Sequence, residues 1–136
     1  MNVENALYPT QERIADLMRD ASKTPIVMLN LLRFRARAQY ADGRASSLTG
    51  REAYMLYGDA MRKVVEHNGG RVLFTGGVRS LVIGTVGEMW DAVALVEYPS
   101  AAAFAKIATS PEVTEIGVHR AAGLEGQLLI RVEQMP

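Results

Sequence analysis

A chain of 136 residues, 49% apolar and 22% charged, is long enough for one domain with a substantial core and too hydrophobic for a disordered one. Fifteen basic and fifteen acidic side chains cancel, which removes the overall field that would draw the protein onto nucleic acid or an anionic membrane. The absence of cysteine excludes a disulfide framework, a thiolate nucleophile and a cysteine-ligated metal.

The start, Met1-Asn-Val-Glu-Asn-Ala6, lacks the basic segment and apolar core of a signal peptide, and no later apolar run approaches ~18 residues, so a soluble, cytoplasmic protein without membrane contact is expected. Behind Thr10 as N-cap, Ile14, Leu17, Met18 and Ala21 fall at helical spacing, which predicts an amphipathic first helix. Residues 1–24 are read as a helical extension and residues 25–136 as the main domain. Pro25 ends the connection, and Ile26 to Phe34 is apolar on both faces, as a central strand must be.

Arg35 to Ser47 follows neither period and is expected to be the most mobile stretch. Thr49-Gly-Arg-Glu52 has capping-box spacing and starts a second helix, striped by Tyr54, Tyr57, Met61, Val64 and Val65 and ended by Asn68-Gly69-Gly70. Arg71 to Val78 is strand-like, with a bulge or bend expected at Gly76-Gly77, and Ser80 to Gly84 continues the apolar pattern. After a turn at Gly84 to Gly87, Trp90 to Tyr98 returns antiparallel. Ser100 caps a short helix to about Ala108, Pro111 restarts it, Gly123 or Gly126 ends it, and Leu128 to Val132 is the last strand.

Apart from the first helix, the order is strand, helix, strand, strand, helix, strand. That is the ferredoxin-like split βαβ plan, an α+β fold with a four-stranded antiparallel sheet. Helices on one face leave the other apolar and uncovered, so a homodimer joined through the sheet face is expected.

Several runs resemble a known family: Met28-Leu-Asn-Leu-Leu-Arg-Phe34, Gly50-Arg-Glu-Ala-Tyr54 with Tyr57, Gly69-Gly-Arg71, Val96-Glu-Tyr-Pro-Ser100 with Phe104, Ser110-Pro-Glu112 and His119-Arg120. Over roughly residues 25 to 134 the chain is similar to the domain of unknown function 1330 (DUF1330-like) family, within the dimeric α+β barrel superfamily. The resemblance implies two sheets packed face to face in a homodimer, a pocket between each sheet and its helices, and no established reaction. The wider superfamily holds cofactor-independent monooxygenases, lactone isomerases and haem-handling proteins, an analogy of fold rather than of site.

Asn30 and Arg33 interrupt the apolar first strand and point to opposite faces. Asn30 either orients a substrate oxygen in a cavity or bonds a helix end or loop. Arg33 either holds a carboxylate in two parallel bonds or bridges to Glu97. Tyr54 and Tyr57, three residues apart, are phenol donors to a ligand carbonyl or ordinary core aromatics. Trp90, sharing a face with Ala92 and Ala94, is a pocket wall or a dimer contact.

Of the two histidines, His67 sits in a last helical turn, where the helix dipole accounts for it. His119, one turn after Glu115 and followed by Arg120, is a general base, a metal or haem ligand, or half of an exposed helix-end pair. Two distant histidines without cysteine make no zinc site, and no glycine-rich loop joins a strand to a helix, so neither metal nor nucleotide cofactor is expected. Ser46, Ser47 and Ser80 lack the setting of a nucleophile. Arg33, Arg35, Arg37 and Arg44 concentrate positive charge near one loop, which attracts an anion or is simply solvated.

Two functions follow. One is a non-catalytic binding module for a small, mostly apolar metabolite bearing a carbonyl or carboxylate. The alternative is a cofactor-independent enzyme, monooxygenase- or isomerase-like, with His119 as acid/base, Arg33 or Arg120 holding negative charge, and Asn30, Tyr54 and Tyr57 orienting the substrate. Convergence of His119, an arginine and Asn30 in one cavity favours the enzyme, and an outward His119 favours the module.

Overall fold

The apolar run from Ile26 to Phe34 forms β1, and its two-sided hydrophobicity is explained by its neighbours: β3 (Ala92–Tyr98) pairs along one edge and β4 (Leu124–Val132) along the other, both antiparallel. β2 (Arg71–Gly77) completes a four-stranded sheet of order β2-β3-β1-β4, the ferredoxin-like arrangement. The computed structural model describes residues 2–136.

Helices begin where hydroxyl caps stand. Thr10, Ser100 and Ser110 cap α1 (Gln11–Arg19), α3 (Ala101–Ala108) and α4 (Pro111–Gly123), the last with proline in its first turn. α2 (Gly50–His67) opens with a reciprocal capping box, the Thr49 hydroxyl accepting from the Glu52 amide at 3.1 Å and the Glu52 carboxylate from the Thr49 amide at 2.9 Å. α2 and α4 approach so closely at Gly50 and Gly123 that a Cβ on Gly50 would stand 2.6 Å from the Gly123 carbonyl oxygen. Glycine at both positions is what lets the two helices come this close.

Strand alternation divides the sheet into two faces. Ile26, Met28 and Leu32, 1–3% exposed, face the helices together with Ala94 and Tyr98 of β3. Met28 and Tyr98 pack with Val64, Val65, Phe104 and Val113 as the core. The other face carries Val27, Leu29, Leu31, Val93, Leu95, Leu128, Ile130 and Val132, none of them buried. No helix among the described residues is long and apolar enough to cross a membrane.

The N-terminal segment wraps the β4 edge. Ala6 and Gln127 exchange backbone hydrogen bonds of 3.1 and 2.9 Å, and Asn5 sits where a side chain on Gly126 would stand. Leu17 of α1 packs on the core, and Asp20 pairs with Arg131 of β4 at 2.9 Å.

Three expectations are corrected. Residues 80–84 form no strand: the last bond of the hairpin joins Val78 to Asp91, and beyond it Val82 and Ile83 are 87% and 89% exposed on an unpaired connection. The bulge in β2 lies between Val72 and Phe74 rather than at Gly76-Gly77, which stays in register, and Gly76 instead leaves the space that the Phe74 ring fills. β4 begins at Leu124, directly from the last residue of α4, since Leu124 is wholly buried and leaves no room for a loop. The irregular segment after β1 is pinned by backbone bonds from Arg35 to Gly123 and from Gln39 to Ala122.

Candidate functional site

Where the sheet and the helix layer separate, they leave a cavity of about 1170 Å³, to whose lining the N-terminal segment adds Leu7, Tyr8 and Leu17. Its walls are largely apolar, with Met28, Val72, Val96, Met61 and Phe104 among the lining residues. Such a space suits a small organic molecule.

One ordered polar chain crosses this apolar setting. Asn30 donates from its amide nitrogen to the carbonyls of Ala94, at 3.2 Å, and Met28, at 3.3 Å. Its amide oxygen accepts from Gln127 Nε2 at 2.8 Å, and Gln127 Oε1 accepts from Arg120 Nη1 at 2.9 Å. The two backbone carbonyls fix the sense of the chain: each amide oxygen is used by the next residue, and the chain ends on a guanidinium. Arg120, half-buried, lies 5.2 Å from the Tyr8 ring and 6.0 Å from the Tyr57 ring, and no carboxylate among the described residues pairs with it.

Tyr54, Tyr57 and Tyr98 line the same cavity. Burial raises the pKa of all three phenols, and Arg120 opposes the rise at Tyr54 and Tyr57 without reversing it. They therefore remain protonated donors through the neutral range. Tyr54 and Tyr57 stand one turn apart on α2 with ring centroids 5.6 Å apart, and the close approach of α2 to α4 beside Tyr54 brings Arg120 within range of both.

The remaining sequence candidates lie elsewhere. Arg33 is held by the connection before β3, bonding the Glu88 carboxylate at 2.9 Å and the carbonyls of Glu88 and Met89, with its guanidinium 5.7 Å from the Trp90 ring. The expected Arg33–Glu97 bridge does not form, because Glu97 is opposite Val27 at the far end of β1; it pairs instead with Arg71 at 3.1 Å. Trp90 precedes β3 and donates its indole N–H to Asn5 at 2.8 Å, outside the cavity wall.

His119 also stands outside the lining, and its expected partner Glu115 makes no hydrogen bond to it. Its Nδ1 meets the Tyr40 hydroxyl at 2.7 Å, the two rings edge to face, and Tyr40 itself reaches the cavity wall. Of the loop arginines, Arg44 is neutralised by Asp42, whose carboxyl that hydrogen bond holds below the ordinary aspartate value, and Arg35 bonds Gln39. No group of three metal-ligating side chains occurs among the described residues.

Gln127 and Tyr8 are the members of the site that sequence reasoning missed. Gln127 fell in an assumed loop because β4 was started at Leu128. Extending the strand back to Leu124 puts a glutamine on the same face as Asn30, opposite Leu32 and two residues along β4 from Leu129, the cross-strand partner of Asn30. Nothing in the local pattern of Tyr8 marks it as a wall residue.

Residues 39–135 match the family described as Domain of unknown function (DUF1330). Among solved structures, methylated RPA0582 protein is 40% identical with a TM-score of 0.86, over 97% of this chain and 96% of that one. A second structure, of the RPA0582 protein of unknown function from Rhodopseudomonas palustris, gives 38% identity and a TM-score of 0.85 over 98% and 99%. A dimeric protein of unknown function and ferredoxin-like fold from Bacteroides fragilis NCTC 9343 aligns at 14% identity and a TM-score of 0.45, over 81% and 96%. No curated protein matches the chain.

Proposed function

The chain belongs to the DUF1330 family, a domain of unknown function, and from that premise we propose that it binds a small, mostly apolar molecule bearing a carbonyl or carboxylate in the cavity between sheet and helices. The carrying observation is the Arg120–Gln127–Asn30 chain inside an apolar space. A half-buried polar chain in apolar surroundings is costly unless each member is bonded, and this one ends on a cation with no carboxylate partner, which a ligand oxygen would supply. Tyr54 and Tyr57 are the further donors, and the residues 1–24 extension is one wall of the site through Leu7, Tyr8 and Leu17.

In the same reading the uncovered sheet face is a homodimer interface. Its aliphatic side chains make a continuous apolar patch of the kind that monomers rarely expose. Arg33, Trp90 and Glu97 then act as surface structure rather than as ligand contacts.

The enzyme alternative keeps one supporting observation, the 2.7 Å contact that links His119 through the Tyr40 hydroxyl to the cavity wall. In that case His119→Ala abolishes turnover of a bound compound while leaving its affinity within about twofold, a change too small to reflect a lost direct contact.

Native mass spectrometry of the purified protein, followed by denaturation and identification of any released compound, tests the binding reading. Two-chain assemblies that carry or take up an apolar oxygen-bearing compound support it. A folded chain that binds neither such compounds nor the neutral apolar dye N-phenyl-1-naphthylamine contradicts it.

A further inference from the structure

Resting on that reading, we infer that the ligand class is narrower: a monoanionic carboxylate with an apolar body, its head on Arg120 and the two α2 phenols. The argument is one of donors and acceptors. Both amide N–H groups of Asn30 have carbonyl partners, and the amide oxygens of Asn30 and Gln127 are each taken by the next residue of the chain. Each amide oxygen keeps one further lone pair, but the larger capacity left to the chain is donating: the second N–H of Gln127 and the unused N–H groups of Arg120, which has no acceptor at all. Tyr54 and Tyr57 are kept protonated by burial and add hydroxyl donors beside it.

A donor-rich lining selects a head group that only accepts. A carboxylate does so with two oxygens whose spacing matches the planar guanidinium fork, whereas an alcohol brings a hydrogen that needs an acceptor of its own. Charge counting points the same way. Arg131, the arginine that β4 contributes to the cavity wall, is neutralised by Asp20 and Glu133, and the charged lining residues other than Arg120, namely Arg13, Arg51 and Arg62 with Glu4, Asp16, Asp42 and Asp59, are exposed. One interior cation remains, which one negative charge balances.

The body of the ligand then lies along Met28, Val96 and Phe104, away from the polar chain. A cationic head meets the Arg120 charge, and a dianion carries one charge more than the site compensates.

The experiment is displacement of N-phenyl-1-naphthylamine at neutral pH by decanoate, decan-1-ol and decyltrimethylammonium, which share one tail. Decanoate is expected to bind about 10- to 100-fold more tightly than decan-1-ol, the range for a charge-assisted hydrogen bond, with the ammonium weakest. Arg120→Met should bring decanoate and decan-1-ol to parity while retaining the dye, and Arg120→Lys should keep part of the preference. Should Arg120→Met fail to fold by circular dichroism, the wild-type ratio and the lysine variant decide.

Equal affinity of the acid and the alcohol in the wild type, or a preference that survives Arg120→Met, overturns the carboxylate inference and leaves the cavity reading standing. Failure of the dye and all three decyl compounds to bind overturns both.

Discussion

The two faces of the sheet are built from the same strands, alternate residues of the same apolar runs, and yet they differ in kind. On the helix side, Met28 and Leu32 bracket Asn30, and the apolar surface is interrupted by one bonded chain of amides and an arginine. On the opposite side, Leu29 lies between Leu95 and Ile130 in register, with no such chain and no helix above it. Apolar area alone does not distinguish a ligand site from an interface. In the proposed reading, the ligand face differs from the interface face in carrying polar groups inside, arranged so that the open hydrogen-bonding capacity is mostly donating.

Substitutions of one leucine on each face break the comparison most strongly. Leu32→Ala, at a position 2% exposed, should lower stability by about 2–5 kcal/mol through lost burial and a cavity beneath the site, read from urea unfolding. Leu29→Arg should instead leave the fold of each chain intact and weaken self-association by about 100-fold or more, since the interface would bury an unpaired charge. Sedimentation velocity at micromolar concentration checks it, and an unchanged dimer would show that another surface joins the chains.

Smaller effects sharpen the account of the helix side. Gln127→Leu removes the link that aims Arg120 and should weaken decanoate binding by about tenfold while changing decan-1-ol little, measured by dye displacement. The smallest effect is one of alkaline pH. The folded chain keeps the Tyr54, Tyr57 and Tyr98 protons above the ordinary tyrosine value of 10.0, whereas the unfolded chain releases them there. Stability is therefore full below that value and falls as pH rises past it. Tyr54→Phe should make the fall shallower, as followed by Tm across that range.

Fold and site were legible to different depths, for physical reasons. β1, α2 and the order of elements could be read because their signals are local: a two-sided apolar run, Thr49 and Glu52 at capping-box spacing, and Pro111 at a helix start. The apolar segment at Val82-Ile83 misled because hydrophobicity predicts a strand only where a partner strand exists to pair with it.

Asn30, Tyr54 and Tyr57 stand out in the sequence as polar or amphipathic residues in apolar surroundings and Arg120 as the neighbour of His119, and all four line the cavity. Arg33 and Trp90 stand out on similar grounds, Glu97 as a partner for Arg33 and His119 by its spacing from Glu115, and none of these four lines the cavity. Their partners, Glu88, Arg71, Asn5 and Tyr40, lie 26 to 85 residues away, distances at which sequence carries no contact signal.

The most direct test of the division between faces is a methyl-resolved NMR titration of the labelled protein with decanoate and, separately, by dilution. The account predicts that decanoate shifts the methyls of Met28, Leu32 and Val96 and leaves Leu29, Leu31 and Leu95 in place, while dilution through the association range moves the second group and not the first. Decanoate shifts confined to Leu29, Leu31 and Leu95 would contradict it, by putting the ligand on the face assigned to a second copy of the chain.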